Sequence, residues 1–128
     1  ESYNSNPLSL KTAIENFDNI KLKSCKKYLI LGDMLELGKH SIKQHKLISK
    51  ILNKTKIDQV YVIGKYIKST FNGLKSNKKA KILNNKSDII DLINKNLNNN
   101  DYLMIKGSNS TGLHEVSTIL KQRSSYVI

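Results

Sequence analysis

Tyr28-Leu29-Ile30-Leu31-Gly32-Asp33-Met34-Leu35-Glu36-Leu37-Gly38 reads as a strand running into an acidic, glycine-bracketed loop. Residues 28–31 are apolar without alternation, which suits a strand covered on both faces. Three further apolar runs with β-branched or aromatic content follow at 60–63, 80–83 and 102–105. Segments of helical periodicity lie around and between them. Strand alternating with helix is the pattern of an α/β domain, so the expected fold is a three-layer, Rossmann-like arrangement with a mostly parallel sheet and helices on both faces.

The first helix is expected to start at Asn6 as cap and Pro7 as first residue, where a missing amide proton costs nothing. Leu10, Ala13, Ile14 and Phe17 then share a face. A second helix follows Ser41, whose spacing to Gln44 is that of a capping box, with Ile48, Ile51 and Leu52 inward. A third is expected over about 65–71, and a fourth after Ser87 with Ile89, Ile90, Ile93 and Leu97 as its stripe, ending in the Asn98 to Asn100 turn. A last helix would carry Leu113, Val116, Ile119 and Leu120.

The 128 residues, 38% of them hydrophobic, suffice for one domain with one core, and neither a repeat nor an interdomain linker interrupts them. No run approaches the roughly 18 apolar residues of a bilayer span, and no signal peptide is discernible. Cys25 is the single cysteine, which points away from a disulfide scaffold and towards a reducing, cytoplasmic setting. The opening Tyr3-Asn4-Ser5-Asn6-Pro7 begins so close to a helix cap that it reads as a cut at a domain boundary.

A net charge of +12 raises the question of nucleic acid. Lysine is spread along the whole chain among Asn and Ile. The densest run, Lys75, Lys78, Lys79 and Lys81, has only the distant Phe71 as an aromatic, so it reads as a solvated basic surface.

Right-handed crossovers would bring every post-strand loop to one edge of the sheet, where open α/β sheets bind ligands. In the loop after residue 31, Asp33 and Glu36 have two readings: acids that cap local amides, or acceptors for an ammonium group. His40 and His45 lack the partners of a metal site and read as solvated or packing residues. The last loop, Lys106-Gly107-Ser108-Asn109-Ser110-Thr111-Gly112, would gather amides and hydroxyls at a helix start. It reads either as an anion pocket for carboxylate or phosphate, or as an ordinary capped helix. It is not a P-loop, because the glycine, four residues, Gly-Lys-Ser/Thr order is absent.

These segments, in this order, resemble the C-terminal domain of the Mur ligases, most closely the branch that adds D-alanyl-D-alanine. Tyr3 to Pro7 is similar to the family's Tyr-Asn-Ala-Asn-Pro opening, with Ser5 for alanine. Leu31 to Gly38 matches Leu-Gly-Asp-Met-x-Glu-Leu-Gly at every specified position, and His40 and His45 look like its histidine-bearing continuation. Lys106 to Asn109 with Glu115 resembles a Lys-Gly-Ser-Arg motif and its downstream glutamate, except that Asn109 replaces the arginine.

The resemblance implies residues 1–128 as the last of three domains, with the UDP-binding and ATPase domains upstream. It implies an ATP- and Mg2+-dependent ligase in which the carboxylate of UDP-N-acetylmuramoyl-tripeptide is phosphorylated and then attacked by the amine of D-alanyl-D-alanine. Substrate would meet Asp33, Met34, Glu36, Lys106, Gly107, Ser108 and Asn109, and Tyr3, Asn4 and Asn6 would approach the nucleotide on closure. No catalytic residue, metal ligand or cofactor is expected in this chain, which alone should be inactive. Neither nucleic acid nor membrane insertion enters this reading. The alternatives are a free-standing nucleotide- or anion-binding α/β module and a basic nucleic-acid-binding protein.

Overall fold

The computed structural model describes residues 7–21, 26–34, 41–98 and 100–107. Four helices and four strands alternate: α1 (Pro7–Asn19), β1 (Lys27–Gly32), α2 (Ser41–Asn53), β2 (Gln59–Ile63), α3 (Lys68–Asn72), β3 (Lys79–Leu83), α4 (Lys86–Asn96) and β4 (Tyr102–Lys106). The strands form one sheet in the order β3-β2-β1-β4, and every pairing is parallel. β1 is therefore central, and all six of its residues are buried, as its unbroken apolar sequence predicts.

Odd and even positions of the strands feed two separate cores. Leu29, Leu31, Val60, Val62 and Met104 pack with Leu10, Ile14 and Phe17 of α1 and with Ile48 and Leu52 of α2. Tyr28, Ile30, Tyr61, Leu103 and Ile105 pack on the other face with Ile89 and Leu92 of α4. The chain steps from β1 outward to β2 and β3 through α2 and α3, then returns past β1 to β4 through α4. Crossovers of one hand require the helix of the return step to lie on the opposite face, and it does.

The third helix is shorter than its pattern suggests. The expected start near residue 65 is occupied by a turn, and α3 begins at Lys68. The Asp33 carboxylate takes the amides that a helix start would leave open: Oδ2 accepts from Lys65 N at 2.9 Å and Oδ1 from Ile67 N at 2.8 Å. Gly64 makes this approach possible, since its φ is +132° and a Cβ there would stand 2.6 Å from the Asp33 carboxyl carbon. α4 also starts earlier than expected, at Lys86, because Asn85 supplies the cap by accepting from Asp88 N. The capping roles expected of Asn6 and Ser41, the Asn98 to Asn100 turn at Asn99, and the helix from Leu113 to Leu120 fall on residues, or side chains, outside those described.

The lysine run at 75–81 is not a uniformly solvated patch. Lys78 is buried, donating through Nζ to the carbonyls of Thr55 at 2.7 Å and Ile57 at 2.8 Å. Lys79 stands over the Phe71 ring, 5.8 Å from its centroid, so that aromatic is not distant from the run in space. Only part of the charge a linear reading assigns to this stretch is presented to solvent.

Two expectations follow from this packing. Gly64→Ala forces both a left-handed residue and a clash with Asp33, and should lower unfolding free energy by about 1–3 kcal/mol or more in urea titration. On the opposite face Tyr28 and Tyr61 stack with centroids 6.2 Å apart. Burial, reinforced by Asp101 and Asp58 for Tyr28 and by Tyr28 for Tyr61, raises both phenols above the ordinary 10.0. Their protonated forms therefore contribute stability that is complete below pH 10.0 and lost as pH rises through the raised values. The double variant Tyr28→Phe, Tyr61→Phe should lose less stability than the parent above that pH. Lys78, whose pKa burial lowers, titrates alike in both proteins and cancels from the comparison.

Candidate functional site at the carboxyl edge of the sheet

β1 and β4 pair directly, with Leu31 opposite Lys106, so the acidic turn and the lysine-glycine turn leave neighbouring strands at the same end. The pairing of Gly32 with Ile63 brings the Gly64 turn to that end too. Strand order reverses between β1 and β4, since one leads to β2 on its left and the other arrives from β3 across the sheet. A reversal of this kind opens a crevice beyond the strand ends, where α/β sheets take ligands. The described part of this rim is Gly32, Asp33, Met34, Gly64, Lys65, Lys106 and Gly107, with Asn84 to Lys86 after β3 farther along the same edge.

Asp33 is 6% exposed and its two oxygens each serve a backbone amide. Those amides belong to the turn after β2, 32 and 34 residues along the chain, and not to the loop that Asp33 itself opens. Met34 turns its side chain fully into the core with Leu29, Leu31 and Ile48. What Met34 offers at the rim is therefore backbone. Its amide donates to Nε2 of His45 at 3.1 Å, and His45, fully buried in α2, is a packing histidine with a polar task. Because Nε2 accepts, the proton of the neutral ring is assigned to Nδ1. The His45 carbonyl in turn accepts from the Thr70 hydroxyl of α3.

Lys106 ends β4 as a lysine only 8% exposed, and Gly107 after it is buried. Burying an ammonium group this far is costly unless polar or charged partners compensate it. Glu36, Ser108, Asn109 and Glu115, together with Tyr3, Asn4, Asn6 and His40, lie outside the described residues. Sequence reading missed the acceptor role of His45 and the part of Thr70. The signal available was a lone polar ring amid the inward stripe of α2, at the spacing that also buries Ile48 and Leu52.

Among the described residues, no group of three His, Cys, Asp or Glu is placed to hold a metal ion. Clefts bounded by described residues also occur away from the rim. One lies between β3 and α4, lined by Tyr61, Lys81, Asp88, Asp91 and Lys95. Another lies at the amino edge around Asp18, Lys27, Lys56 and Asp58. Three of the four carboxylates there serve as acceptors for backbone amides: Asp18 for Lys56 N, Asp58 for Lys27 N and Asp88 for Asn84 N. No helix of the described residues is long and apolar enough to cross a membrane.

Residues 2–109 match the family described as Mur ligase, glutamate ligase domain. The chain is 32% identical over 119 residues to UDP-N-acetylmuramoyl-tripeptide--D-alanyl-D-alanine ligase of Bacillus subtilis, covering 91% of this chain and 26% of that protein. It is 34% identical over 114 residues to the enzyme of the same name from Buchnera aphidicola, covering 88% and 24%. The chain thus spans about a quarter of the length of these relatives. In fold it resembles the MurF ligase of Thermotoga maritima in complex with ADP, with a TM-score of 0.73 at 24% identity over 96% of this chain and 28% of that one. MurF from Acinetobacter baumannii gives 0.75 at 23% identity, over 94% and 27%. The match across residues 2–109, on a parallel sheet whose carboxyl edge carries both signature turns, makes this chain a member of the Mur ligase family.

Proposed function

We propose that the chain is the C-terminal domain of the ATP-dependent ligase that joins D-alanyl-D-alanine to UDP-N-acetylmuramoyl-tripeptide, through an acyl phosphate, in peptidoglycan synthesis. The observation that carries the proposal is the pairing of β1 with β4, which sets the acidic turn beside the lysine-glycine turn. A dipeptide is a zwitterion, so a surface receiving it needs acceptors for an ammonium and donors for a carboxylate within a few ångströms of each other. Two turns of opposite character that leave adjacent strands at the same end of the sheet support this reading.

In this reading the ammonium end meets the turn of Asp33, Met34 and Glu36. Asp33 shapes that turn by holding the Lys65 and Ile67 amides, and Glu36 is proposed to help orient the ammonium end. Anionic groups go to Lys106, Gly107, Ser108 and Asn109. The uncharged Asn109 can donate hydrogen bonds there but adds no charge. Tyr3, Asn4 and Asn6 are proposed to approach the nucleotide as the domain closes. Closure brings the amine to the activated carboxylate and excludes the water that would compete with it.

Among the described residues, none are grouped to hold a magnesium ion. The sequence lacks a phosphate-binding Gly-Lys-Ser/Thr loop. In the proposed enzyme ATP, Mg2+ and the uridine nucleotide are held by upstream domains, and residues 1–128 by themselves are proposed to be one inactive domain. The setting proposed is the cytoplasm, where Cys25 stays reduced.

The test uses the complete polypeptide that carries this domain, supplied with ATP, Mg2+, UDP-N-acetylmuramoyl-tripeptide and D-alanyl-D-alanine. Formation of the pentapeptide product with release of phosphate is expected. Lys106→Ala should lower kcat/KM by roughly a hundredfold or more, as loss of an aligned cation at a closing site does. Undiminished turnover would remove Lys106 from the site, and tight nucleotide binding by residues 1–128 alone would favour a free-standing nucleotide-binding module.

A further inference from the structure

We infer that His45 is a positioning residue for the turn that receives the amine, an inference that rests on the proposed ligase reading. β1 ends at Gly32, so the Met34 amide lies beyond the parallel ladder and has no strand to donate to. His45 Nε2 takes that bond at 3.1 Å from a fully buried place in α2. An isoleucine or leucine would fill the same volume without a polar atom to satisfy. What imidazole adds is one acceptor at the point where β1 becomes the acidic turn.

The bond is one half of a two-point hold. At Asp33 the side chain is fixed by amides of the turn after β2, and at Met34 the main chain is fixed by α2. The two holding elements are themselves joined, because the Thr70 hydroxyl of α3 donates to the His45 carbonyl. The Asp33 side chain and the Met34 amide are thus tied at two consecutive residues, where β1 gives way to the turn. His45 thus acts on the amine through the turn, without touching substrate. An error of about 1 Å at a reacting group can cost on the order of a hundredfold in rate, so the hold is worth having.

Steady-state ligation by the complete polypeptide, with each substrate varied in turn, separates positioning from packing. His45→Gln places an amide oxygen close to where Nε2 stands. His45→Asn places the same group where Nδ1 stands, out of reach of Met34, and His45→Leu offers no acceptor. Leu and Asn should raise KM for D-alanyl-D-alanine by about tenfold while KM for ATP moves less than about twofold, and Gln should recover most of the loss. Thermal midpoints of Gln and Asn variants are measured alongside, so the contrast survives even where the Leu variant does not fold. Equal behaviour of Gln and Asn, or losses that follow thermal stability and fall on all substrates alike, would overturn the inference while leaving the ligase reading intact. A parent protein that does not ligate the dipeptide would overturn that reading, and this inference with it.

Discussion

A carboxylate buried at the end of the central strand organises the carboxyl edge of this domain. Asp33 follows β1 and lends one oxygen each to Lys65 N and Ile67 N, the amides of the turn between β2 and α3. Burying an acid this far is costly unless its oxygens are bonded, and here both are. Gly64 is the complement of that arrangement. Its positive φ and missing Cβ leave room for the carboxyl group, so one residue after β1 and one after β2 specify each other. Remove either and the rim on which the functional reading depends has no fixed shape.

The same chemistry recurs through the chain and explains how a protein with 22 basic and only 10 acidic residues uses its acids. Asp18, Asp58, Asp88 and Asp101 each accept from a backbone amide at a turn or strand start, as Asp33 does. Buried lysines behave in parallel, with Lys27 donating to the Asp18 carbonyl and Lys78 to two carbonyls. Ionic groups of both signs are spent on main-chain atoms that loops would otherwise leave unsatisfied. The positive charge that remains is carried by lysines spread along the whole chain.

The architecture was legible because burial on both faces writes apolar runs into β1, β2 and β4, while the edge strand β3, with exposed Lys79 and Lys81, keeps only a partial one. All four strands fall where those runs lie, each within one residue or so at either end. The boundaries of α3 and α4 were less legible, since they depend on which acceptor meets the open amides. For α3 that acceptor is Asp33, 34 residues before Ile67, and no local pattern announces a partner so far away. The site was half legible. Spacing and residue type marked Asp33 and Lys106 as unusual, but whether Asp33 serves ligand or main chain is decided by tertiary contact. His45 illustrates the converse: as one histidine on an inward helical stripe it reads as packing, and only its distance to Met34 gives it a role.

The account depends most on the claim that the two turns form one receiving surface for the dipeptide. Its most direct test is a crystal structure of the complete ligase with D-alanyl-D-alanine bound. The account predicts the dipeptide beyond the carboxyl ends of β1 and β4, its ammonium toward the turn that begins at Gly32 and its carboxylate toward Lys106 and Gly107. A dipeptide seated instead at the amino edge near Asp58 and Lys56, or in the cleft between β3 and α4, would contradict it.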